Sequence, residues 1–293
     1  MAVACLKIWS VRNVLLVSHT AFPVPSPRAY PHSHPFASVK LLTLARDLQR
    51  RKARERQHRF VAEGVRTVEA LLASGLPVDG LLVTAGAREQ PRGRELVLAA
   101  EGRGITVAEV TEAELDSAAD TDTPQGILAV APIPERSLRA PEGPSSRFLV
   151  LDALQDPGNV GTVIRTAAAL GVTATVALPG TVDLWNAKVV RSTMGALFVH
   201  PALPMSWEAF AAFAAAHAMP VWAADTDGVP LDQVTTASLP AHLALVVSNE
   251  GAGLSAPLSA AVTSRVAIRM SPGIESLNVA VATGILLHAL RLG

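Results

Sequence analysis

The sequence contains little of what several common protein classes require. A single cysteine, Cys5, excludes a disulfide framework and a zinc site built on cysteines. No apolar run reaches the roughly 20 residues that a membrane-spanning helix needs, so we predict no membrane segment. Aromatic residues make up only 4% of the chain, which gives no extended platform for stacking nucleobases. Lysine and arginine (25) are balanced by aspartate and glutamate (25), so binding to a polyanion would require a local basic patch.

The chain is long enough for two domains with hydrophobic cores. It has 293 residues, of which 49% are hydrophobic, and this composition is typical of folded proteins. Residues 133–146 are rich in proline, serine and charge, which predicts a linker. We therefore expect an N-terminal domain at residues 37–132 and a C-terminal domain at residues 147–293. The low cysteine content fits a reducing compartment, and we predict a cytoplasmic location.

Residues 1–36 differ in character from the rest. They combine scattered prolines and histidines without periodicity, and we expect a disordered leader or a segment translated from an upstream start codon. The apolar run at residues 14–17 is shorter than the roughly 7–15 residues of a signal-peptide core. His32 and His34 have no evident partner ligands, so we predict no metal site.

Both domains alternate short apolar strands with helices, which predicts the α/β class with a mostly parallel C-terminal sheet. In the N-terminal domain we expect strands within residues 59–64, 78–86, 105–110 and 125–131. In the C-terminal domain we expect strands at 148–154, 173–177, 199–202, 221–224, 243–247 and 266–268. The predicted C-terminal helices cover residues 159–170, 187–196, 207–217 and 277–290, with Ser276 as the N-cap of the last.

A basic stretch precedes the first of these strands. We predict one helix over residues 41–60, with Leu41, Leu44 and Leu48 on one face. The arginines recur every four residues on another face, and the excess of one sign in a neutral protein favours a phosphate-binding surface. The alternative is an ordinary solvated helix face. The candidate RNA-binding residues are Arg46, Arg50, Arg51 and Arg54.

Three stretches of the C-terminal domain share a strand, a loop of small residues and a helix start. They lie at residues 148–172, 243–255 and 265–290. In a parallel sheet, the carboxyl ends of the strands meet at one edge, so we expect the three loops to form one site. Loops of small residues at helix N-termini can hold a polar ligand on backbone groups.

The residues in these loops resemble a known family. NVG at 159–161 with RTA at 165–167, SNEGAGLS at 248–255, and MSPG at 270–273 followed by SLNVAVA at 276–282 occur in the order of three family signatures. Together they resemble the SpoU (TrmH-type) RNA ribose 2′-O-methyltransferases of the SPOUT superfamily. Lys188 with RSTMGA at 191–196 resembles the family's helix between the first two signatures. TPQG at 123–126 resembles a turn of members with an L30e-like N-terminal substrate domain.

The resemblance implies a fold that composition does not show. We expect the C-terminal domain to be tied in a trefoil knot, which general chain-connection rules make rare. We also expect an L30e-like α/β domain before it, and a homodimer with the active site near the subunit interface. The implied cofactor is S-adenosylmethionine, held in the knot mostly by backbone groups. The matching cofactor-binding residues are Ser248, Asn249, Gly251, Ile268, Met270 and Leu277.

The resemblance also implies the catalytic residues. Arg165 matches the family's catalytic arginine, with Asn159 and Glu250 expected to hold it and the ribose in place. Because arginine normally stays protonated, we prefer that Arg165 binds the phosphate beside the ribose and stabilises the developing alkoxide. The alternative is that Arg165 acts as a true base. Ser276 and Asn278 would complete the pocket, although Asn159 and Ser276 are also good helix N-caps.

The implied reaction is methylation of a ribose 2′-OH. We expect 23S ribosomal RNA as the substrate, since L30e-like domains occur in relatives that modify ribosomal RNA. The alternatives are a tRNA 2′-O-methyltransferase and a non-catalytic RNA-binding protein with the same fold. A Rossmann-type dinucleotide enzyme is disfavoured, because only Gly251 and Gly253 follow a strand and the third glycine of that fingerprint is missing.

Overall fold

The computed structural model describes residues 35–235, 238–249, 253–274 and 276–290, with side chains from residue 39 onward. The predicted leader, including His32 and His34, lies outside these ranges up to residue 34. The first helix, α1, covers Pro35–Asp47, so residues 35 and 36 belong to this helix and not to the leader.

The N-terminal domain is a four-stranded sheet covered by helices. Its strand order is β1-β4-β2-β3, in which β4 runs antiparallel to both neighbours and β2 runs parallel to β3. Three of the strands, β1, β2 and β4, are almost wholly buried, since α3 and α5 pack on one face and α1 on the other, while the edge strand β3 is partly exposed. The strands are β1 (Arg59–Glu63), β2 (Gly80–Thr84), β3 (Thr106–Val110) and β4 (Ile127–Pro132). The helices after α1 are α2 (Arg51–Gln57), α3 (Val65–Ser74), α4 (Ala85–Glu89), α5 (Pro91–Glu101) and α6 (Glu112–Asp116).

The prediction of one continuous helix over residues 41–60 is wrong. Helix α1 ends at Asp47, and α2 starts at Arg51 after Arg50 adopts an extended conformation. The Arg54 guanidinium donates hydrogen bonds to the Leu48 and Gln49 carbonyls, at 2.7 and 2.9 Å. These bonds satisfy carbonyl groups at the end of α1 and stabilise the break.

The C-terminal domain is a six-stranded, fully parallel sheet with helices on both faces. Its order is β10-β8-β9-β5-β6-β7. The central strands are buried on both faces, as expected for parallel strands with long apolar runs. The strands are β5 (Ser146–Asp152), β6 (Ala174–Ala177), β7 (Ala202–Pro204), β8 (Val221–Pro230), β9 (His242–Ser248) and β10 (Ser264–Ala267). The helices are α7 (Pro157–Ala169), α8 (Ala187–Ser192), α9 (Ala196–Val199), α10 (Trp207–Ala216), α11 (Ala256–Ala261) and α12 (Val279–Ala289).

The largest difference from the predicted C-terminal elements lies between residues 187 and 204. The predicted single helix is divided into α8 and α9, because Gly195 adopts a φ of 91° between them. The predicted strand at 199–202 is wrong in position, since residue 199 ends α9 and β7 starts only at Ala202.

The segment between the two domains is fastened to the C-terminal domain. The Arg136 guanidinium donates hydrogen bonds to the carbonyls of Leu197, Phe198 and His200 and lies over the Trp185 ring. His200 is buried and its Nε2 lies 2.8 Å from the Thr175 hydroxyl. Burial, with a smaller effect of the Arg136 charge, lowers the pKa of His200 to about 4. His200 is therefore neutral at physiological pH.

Two kinds of feature are absent from the described ranges. None of their helices is long and apolar enough to span a membrane. In the same ranges, histidine, cysteine, aspartate and glutamate form no group of three or more that could hold a metal ion.

Candidate functional site

A cleft of about 430 Å³ opens at the carboxyl edge of the large sheet. Three neighbouring strands, β8, β9 and β10, end there, and the start of α12 closes one side. Because the strands are parallel, their carboxyl ends bring together segments that are distant in sequence. The cleft is lined by Ala224, Asp225, Thr226, Val247, Ser248, Asn249, Gly253, Leu254, Val266, Ile268, Met270, Ser276, Leu277, Val279, Ala282 and Leu286.

Most residues that we predicted for cofactor binding lie in this cleft. Five of the six line it, namely Ser248, Asn249, Ile268, Met270 and Leu277. The sixth, Gly251, and the catalytic candidate Glu250 lie outside the described residues. Ser276 also lines the cleft. Two of the three predicted loops therefore form one concave site.

The loop after β9 is fixed from below by Asp152. This residue ends β5 and is only 3% exposed. Its carboxylate accepts a hydrogen bond from the Ser255 N–H at 2.8 Å, and its carbonyl accepts one from the Asn249 N–H. The Gly253 N–H donates to the Asn249 carbonyl at 3.0 Å and closes the turn. We had not predicted Asp152, although a carboxylate ending an apolar strand at the functional edge was the available signal.

An amide pair joins the first and third predicted loops. The Asn278 Oδ1 accepts hydrogen bonds from the N–H groups of Ala280 and Val281, so Asn278 is the N-cap of α12. This oxygen position turns Nδ2 toward Asn159, whose Oδ1 lies 2.9 Å away. The donor group of Asn159 then points away from Asn278 and can serve another acceptor.

The predicted N-caps are therefore wrong. Ser276 precedes the cap of α12 by two residues, and the cap of α7 is Asp156, which accepts from the Asn159 N–H at 2.6 Å. Asn278 also does not lie inside the helix as we had expected. A capping asparagine satisfies orphan N–H groups, so its place in this apolar stretch has a structural reason as well.

Arg165 lies on the exposed side of α7. It is six residues after Asn159, which places it about 240° around the helix from the amide pair. Among the described residues, Arg165 forms no hydrogen bond or ion pair, and it does not line the cleft. The structure thus brings Asn159 to Asn278 and leaves the guanidinium of Arg165 accessible to solvent.

Sequence reasoning missed one wall of the cleft. Strand β8 bulges away from β10, since Arg265 pairs with Ala223 but Val266 pairs with Val229. The bulge places Ala224, Asp225 and Thr226 in the cleft. The Arg265 side chain pairs with the Asp225 carboxylate and fixes the bulge. The signal was the carboxyl end of the predicted strand at 221–224, which the edge rule places at the site.

The predicted RNA-binding arginines differ from one another in exposure. Arg54 is only 4% exposed and forms an ion pair with Asp183 at 2.7 Å. Its place on an exposed RNA-binding face is therefore wrong, because the break between α1 and α2 turns it inward. Arg46, Arg50 and Arg51 are exposed, as expected for a polyanion-binding surface.

The exposed arginines already have weak partners. Arg46 donates to the Ser117 hydroxyl, Arg50 pairs with Asp47, and Arg51 pairs with Glu55 at 2.8 Å. Ion pairs at exposed positions contribute only about 0–1 kcal/mol, so a phosphate can displace these partners.

Family models match both domains of the chain. Residues 146–288 match the SpoU rRNA methylase family, and residues 39–129 match an MRM3-like substrate binding domain. The substrate-binding match ends before the predicted linker at 133–146, and the SpoU match begins at the last residue of that segment.

Individual relatives are similar over most of their length. The 23S rRNA (guanosine(2553)-2′-O)-methyltransferase RlmP of Bacillus subtilis is 34% identical over 245 residues, which cover 83% of this chain and 93% of that protein. The 23S rRNA (uridine(2479)-2′-O)-methyltransferase of Streptomyces viridochromogenes is 32% identical, with 83% and 86% covered. An S-adenosylmethionine-bound rRNA methyltransferase structure from Sinorhizobium meliloti superposes with a TM-score of 0.74 at 27% identity, with 89% and 96% covered.

Proposed function

Because the chain belongs to the SpoU rRNA methylase family, we propose that it transfers a methyl group from S-adenosylmethionine to a ribose 2′-OH of 23S ribosomal RNA. The observation that carries the proposal is the cleft, which the second and third family-like stretches form together at the carboxyl edge of the sheet. A cytoplasmic location is part of the proposal and is supported by the bacterial relatives that act on ribosomal RNA.

The cleft fits S-adenosylmethionine in size and chemistry. Its volume of about 430 Å³ is in the range of small-molecule sites. Apolar side chains such as Ile268 and Leu277 can enclose the adenine, while backbone groups near Asn249 can read its polar edge. The Asp225 carboxylate supplies an acceptor for the ribose hydroxyls or the amino group of the ligand. When bound, the cofactor supplies an electrophilic methyl group on a sulfonium.

The catalytic proposal concerns positioning and charge. Arg165 would bind the phosphate beside the target ribose and stabilise negative charge developing on the 2′ oxygen. Its guanidinium is exposed and, within the described ranges, unpaired, which suits an external polyanion. Asn159 would donate its remaining N–H bonds to the substrate, with Asn278 fixing its orientation. Ser276 lines the cleft two residues before Asn278. The role of Glu250 is inferred from the family resemblance alone.

A homodimer and a trefoil knot are further parts of the proposal. Helices α7 and α12 pack together, with the Gly284 backbone close to Thr166. On α12, Val281 and Ile285 lie one turn apart and remain 54% and 41% exposed. An exposed apolar pair beside Arg165-bearing α7 supports a subunit interface near the active site. The knot is supported by the return of α12 against α7 and β9 after the chain leaves β10.

Methyl transfer to separate RNA pools tests the function. We expect tritium from labelled S-adenosylmethionine to enter unmodified 23S rRNA at one position, with an alkali-resistant linkage that marks a 2′-O-methyl group. Labelling of tRNA alone would mean that the substrate is tRNA and not 23S rRNA. Binding of RNA without transfer to either pool, in either free or particle-bound form, would favour a non-catalytic protein.

A further inference from the structure

One part of the chain that resembles the family does not contribute to the cleft. Lys188 and residues 191–196 resemble the family's helix between the first two signatures, yet none of them lines the site. The surrounding segment, residues 183–199, contacts both domains. We call it the interdomain segment.

Three ion pairs, made by two arginines, connect the interdomain segment to the N-terminal domain. Arg54 contacts Asp183 at 2.7 Å, with the two side chains only 5% and 18% exposed. Arg191 contacts Glu63 at 3.4 Å and Asp120 at 3.3 Å. Glu63 is 2% exposed, so Arg191 provides a counter-charge that this buried carboxylate needs.

Aromatic packing strengthens the same contact. The ring centroid of Phe60, in β1, lies 4.5 Å from the ring centroid of Trp185 and 5.9 Å from that of Phe198. Gly195 faces Ala70 so closely that a Cβ added to the glycine would lie 2.5 Å from the Ala70 Cβ. The interface therefore combines a hydrophobic centre with charged contacts on well-defined partners, a combination that restricts relative movement of domains.

The opposite side of the interdomain segment supports the catalytic helix. Helix α8 packs against α7 at Gly161, where an added Cβ would lie 2.4 Å from the Ser192 Cβ. Ser192 is adjacent to Arg191, and Gly161 lies one turn before Arg165. A single short helix thus contacts both the N-terminal domain and the helix that presents Arg165.

We propose that the interdomain segment, with Arg191 as its positioning residue, holds the N-terminal domain at one orientation to the cleft and thereby selects which ribose is methylated. The inference rests on the proposed function. The contact between the interdomain segment and the N-terminal domain sets the distance from the cleft to RNA that is bound on the N-terminal domain. Misplacement of a reacting group by about 1 Å can reduce the rate a hundredfold, so a loosened contact would affect both rate and position.

The test compares Arg191→Gln with Arg59→Gln in the full-length protein. Arg59 is a matched control, since it is similarly exposed but pairs with Asp79 inside the N-terminal domain. With unmodified 23S rRNA, Arg191→Gln should lower kcat by roughly ten- to a hundredfold. It should also spread methylation to neighbouring riboses, while S-adenosylmethionine affinity stays within a few-fold. Arg191→Lys should recover much of the positional accuracy.

A distance measurement makes the inference independent of activity. Spin labels on Leu98→Cys and Ala215→Cys, exposed positions of the two domains, are introduced into a Cys5→Ser protein. The labelled protein is mixed with an excess of unlabelled Cys5→Ser protein, so that a dimer carries only one labelled subunit. We then expect one narrow distance distribution that broadens in Arg191→Gln and not in Arg59→Gln. Because Glu63 is left uncompensated in the single variant, Arg191→Gln with Glu63→Gln serves as a second variant that should broaden equally.

The possible outcomes separate the inference from the proposed function. A broad distribution in the unsubstituted protein, or an unchanged one in both Arg191 variants, would overturn the inference. So would a single methylated ribose at unchanged kcat in Arg191→Gln. If the distribution is narrow in the unsubstituted protein and broadens in both Arg191 variants, but no ribosomal RNA is labelled, the proposed function is overturned and only the role of Arg191 in holding the two domains at one orientation stays supported.

Discussion

The two domains of this protein arrange their polar groups in opposite ways. In the C-terminal domain they converge, because three parallel strands and the start of α12 end around one cleft. In the N-terminal domain the exposed cations of α1 and α2 are spread over the surface and pair with neighbouring carboxylates. A reaction needs fixed geometry, which a sheet edge provides, whereas attraction of a polyanion needs only accessible charge. We therefore expect substitutions around the cleft to reduce methyl transfer, and substitutions of the exposed cations in the N-terminal domain to reduce RNA affinity.

The largest effect is expected from Arg165→Ala. Removing the proposed phosphate and alkoxide contact should lower methyl transfer about a thousandfold or more. Cofactor affinity should stay within a few-fold, since Arg165 does not line the cleft. Tritium transfer to 23S rRNA and equilibrium binding of S-adenosylmethionine measure the two quantities. Arg94→Ala, an exposed arginine of α5, is the control and should remain active. A large loss of cofactor binding in Arg165→Ala would contradict the assigned role.

The next largest effect separates two arginines of the same short helix. Arg54→Gln leaves Asp183 and the Leu48 and Gln49 carbonyls without their donor and should lower the free energy of unfolding by about 3 kcal/mol or more. Arg51→Gln removes only an exposed pair and should change it by less than about 0.5 kcal/mol. Urea denaturation of both variants provides the comparison, and equal effects would show that the inward position of Arg54 is unimportant for stability.

These two arginines show where sequence patterns succeed and fail. Both lie in a basic stretch, and a continuous helix would have placed Arg54 on the exposed face. The three-residue break at 48–50 changed the phase, and the inward position of Arg54 is stabilised by a tertiary contact with Asp183, 129 positions away. Local periodicity contains no information about such a partner. The division of residues 187–199 into α8 and α9 was missed for the same reason, because Gly195 is required by contact with Ala70.

The cleft was more predictable than the helix faces. Alternation of apolar strands and helices predicted the α/β class, and parallel strands bring their carboxyl ends to one edge whatever the details of each loop. Ser248, Asn249, Ile268, Met270 and Leu277 line the cleft as this rule and the family resemblance predict. Asp225 follows the carboxyl end of the predicted strand at 221–224, which the same rule places at the site, but the bulge in β8 that brings it into the cleft could not be predicted from the strand pattern.

Acid should act on the C-terminal domain through His200. Its pKa is lowered to about 4, whereas an unfolded histidine titrates near 6.5. Between these values the unfolded state binds a proton that the folded state does not, so stability falls as the pH decreases from 6.5 to 4. The loss attributable to this group is roughly 3 kcal/mol. Urea denaturation at several pH values measures it, with His200→Gln as the comparison. The same pH slope in that variant would assign the effect to other groups.

A smaller effect is expected at the amide pair in the site. Asn278→Asp keeps a good N-cap but loses the donor to Asn159. The melting temperature should change little, while methyl transfer should fall about tenfold because Asn159 is no longer oriented. Asn278→Ala should show the same loss of transfer and an additional destabilisation of about 1 kcal/mol from the missing cap. Full activity in Asn278→Asp would show that the pair has only a structural role.

The smallest effect per residue is expected on the basic surface. Because Arg54 is buried, the informative charge reversal is Arg50→Glu with Arg51→Glu. RNA affinity should fall several-fold, and the slope of log affinity against log salt should decrease by about one for each lost phosphate contact. Methyl transfer at saturating RNA should be unchanged, since these residues are not in the cleft.

Removing the acidic partners of the same arginines gives the opposite expectation. Asp47 pairs with Arg50 and Arg56, and Glu55 pairs with Arg51, so Asp47→Asn with Glu55→Gln should free three cations. RNA affinity at low salt should then rise, because phosphates no longer compete with internal carboxylates. If these arginines form only a solvent-exposed helix face, neither double substitution should change the RNA affinity. If the two double substitutions instead shift RNA affinity in opposite directions and leave the rate at saturating RNA unchanged, the two domains have separate roles. The dispersed charge of the N-terminal domain then binds the RNA, and the cleft of the C-terminal domain is where it is methylated.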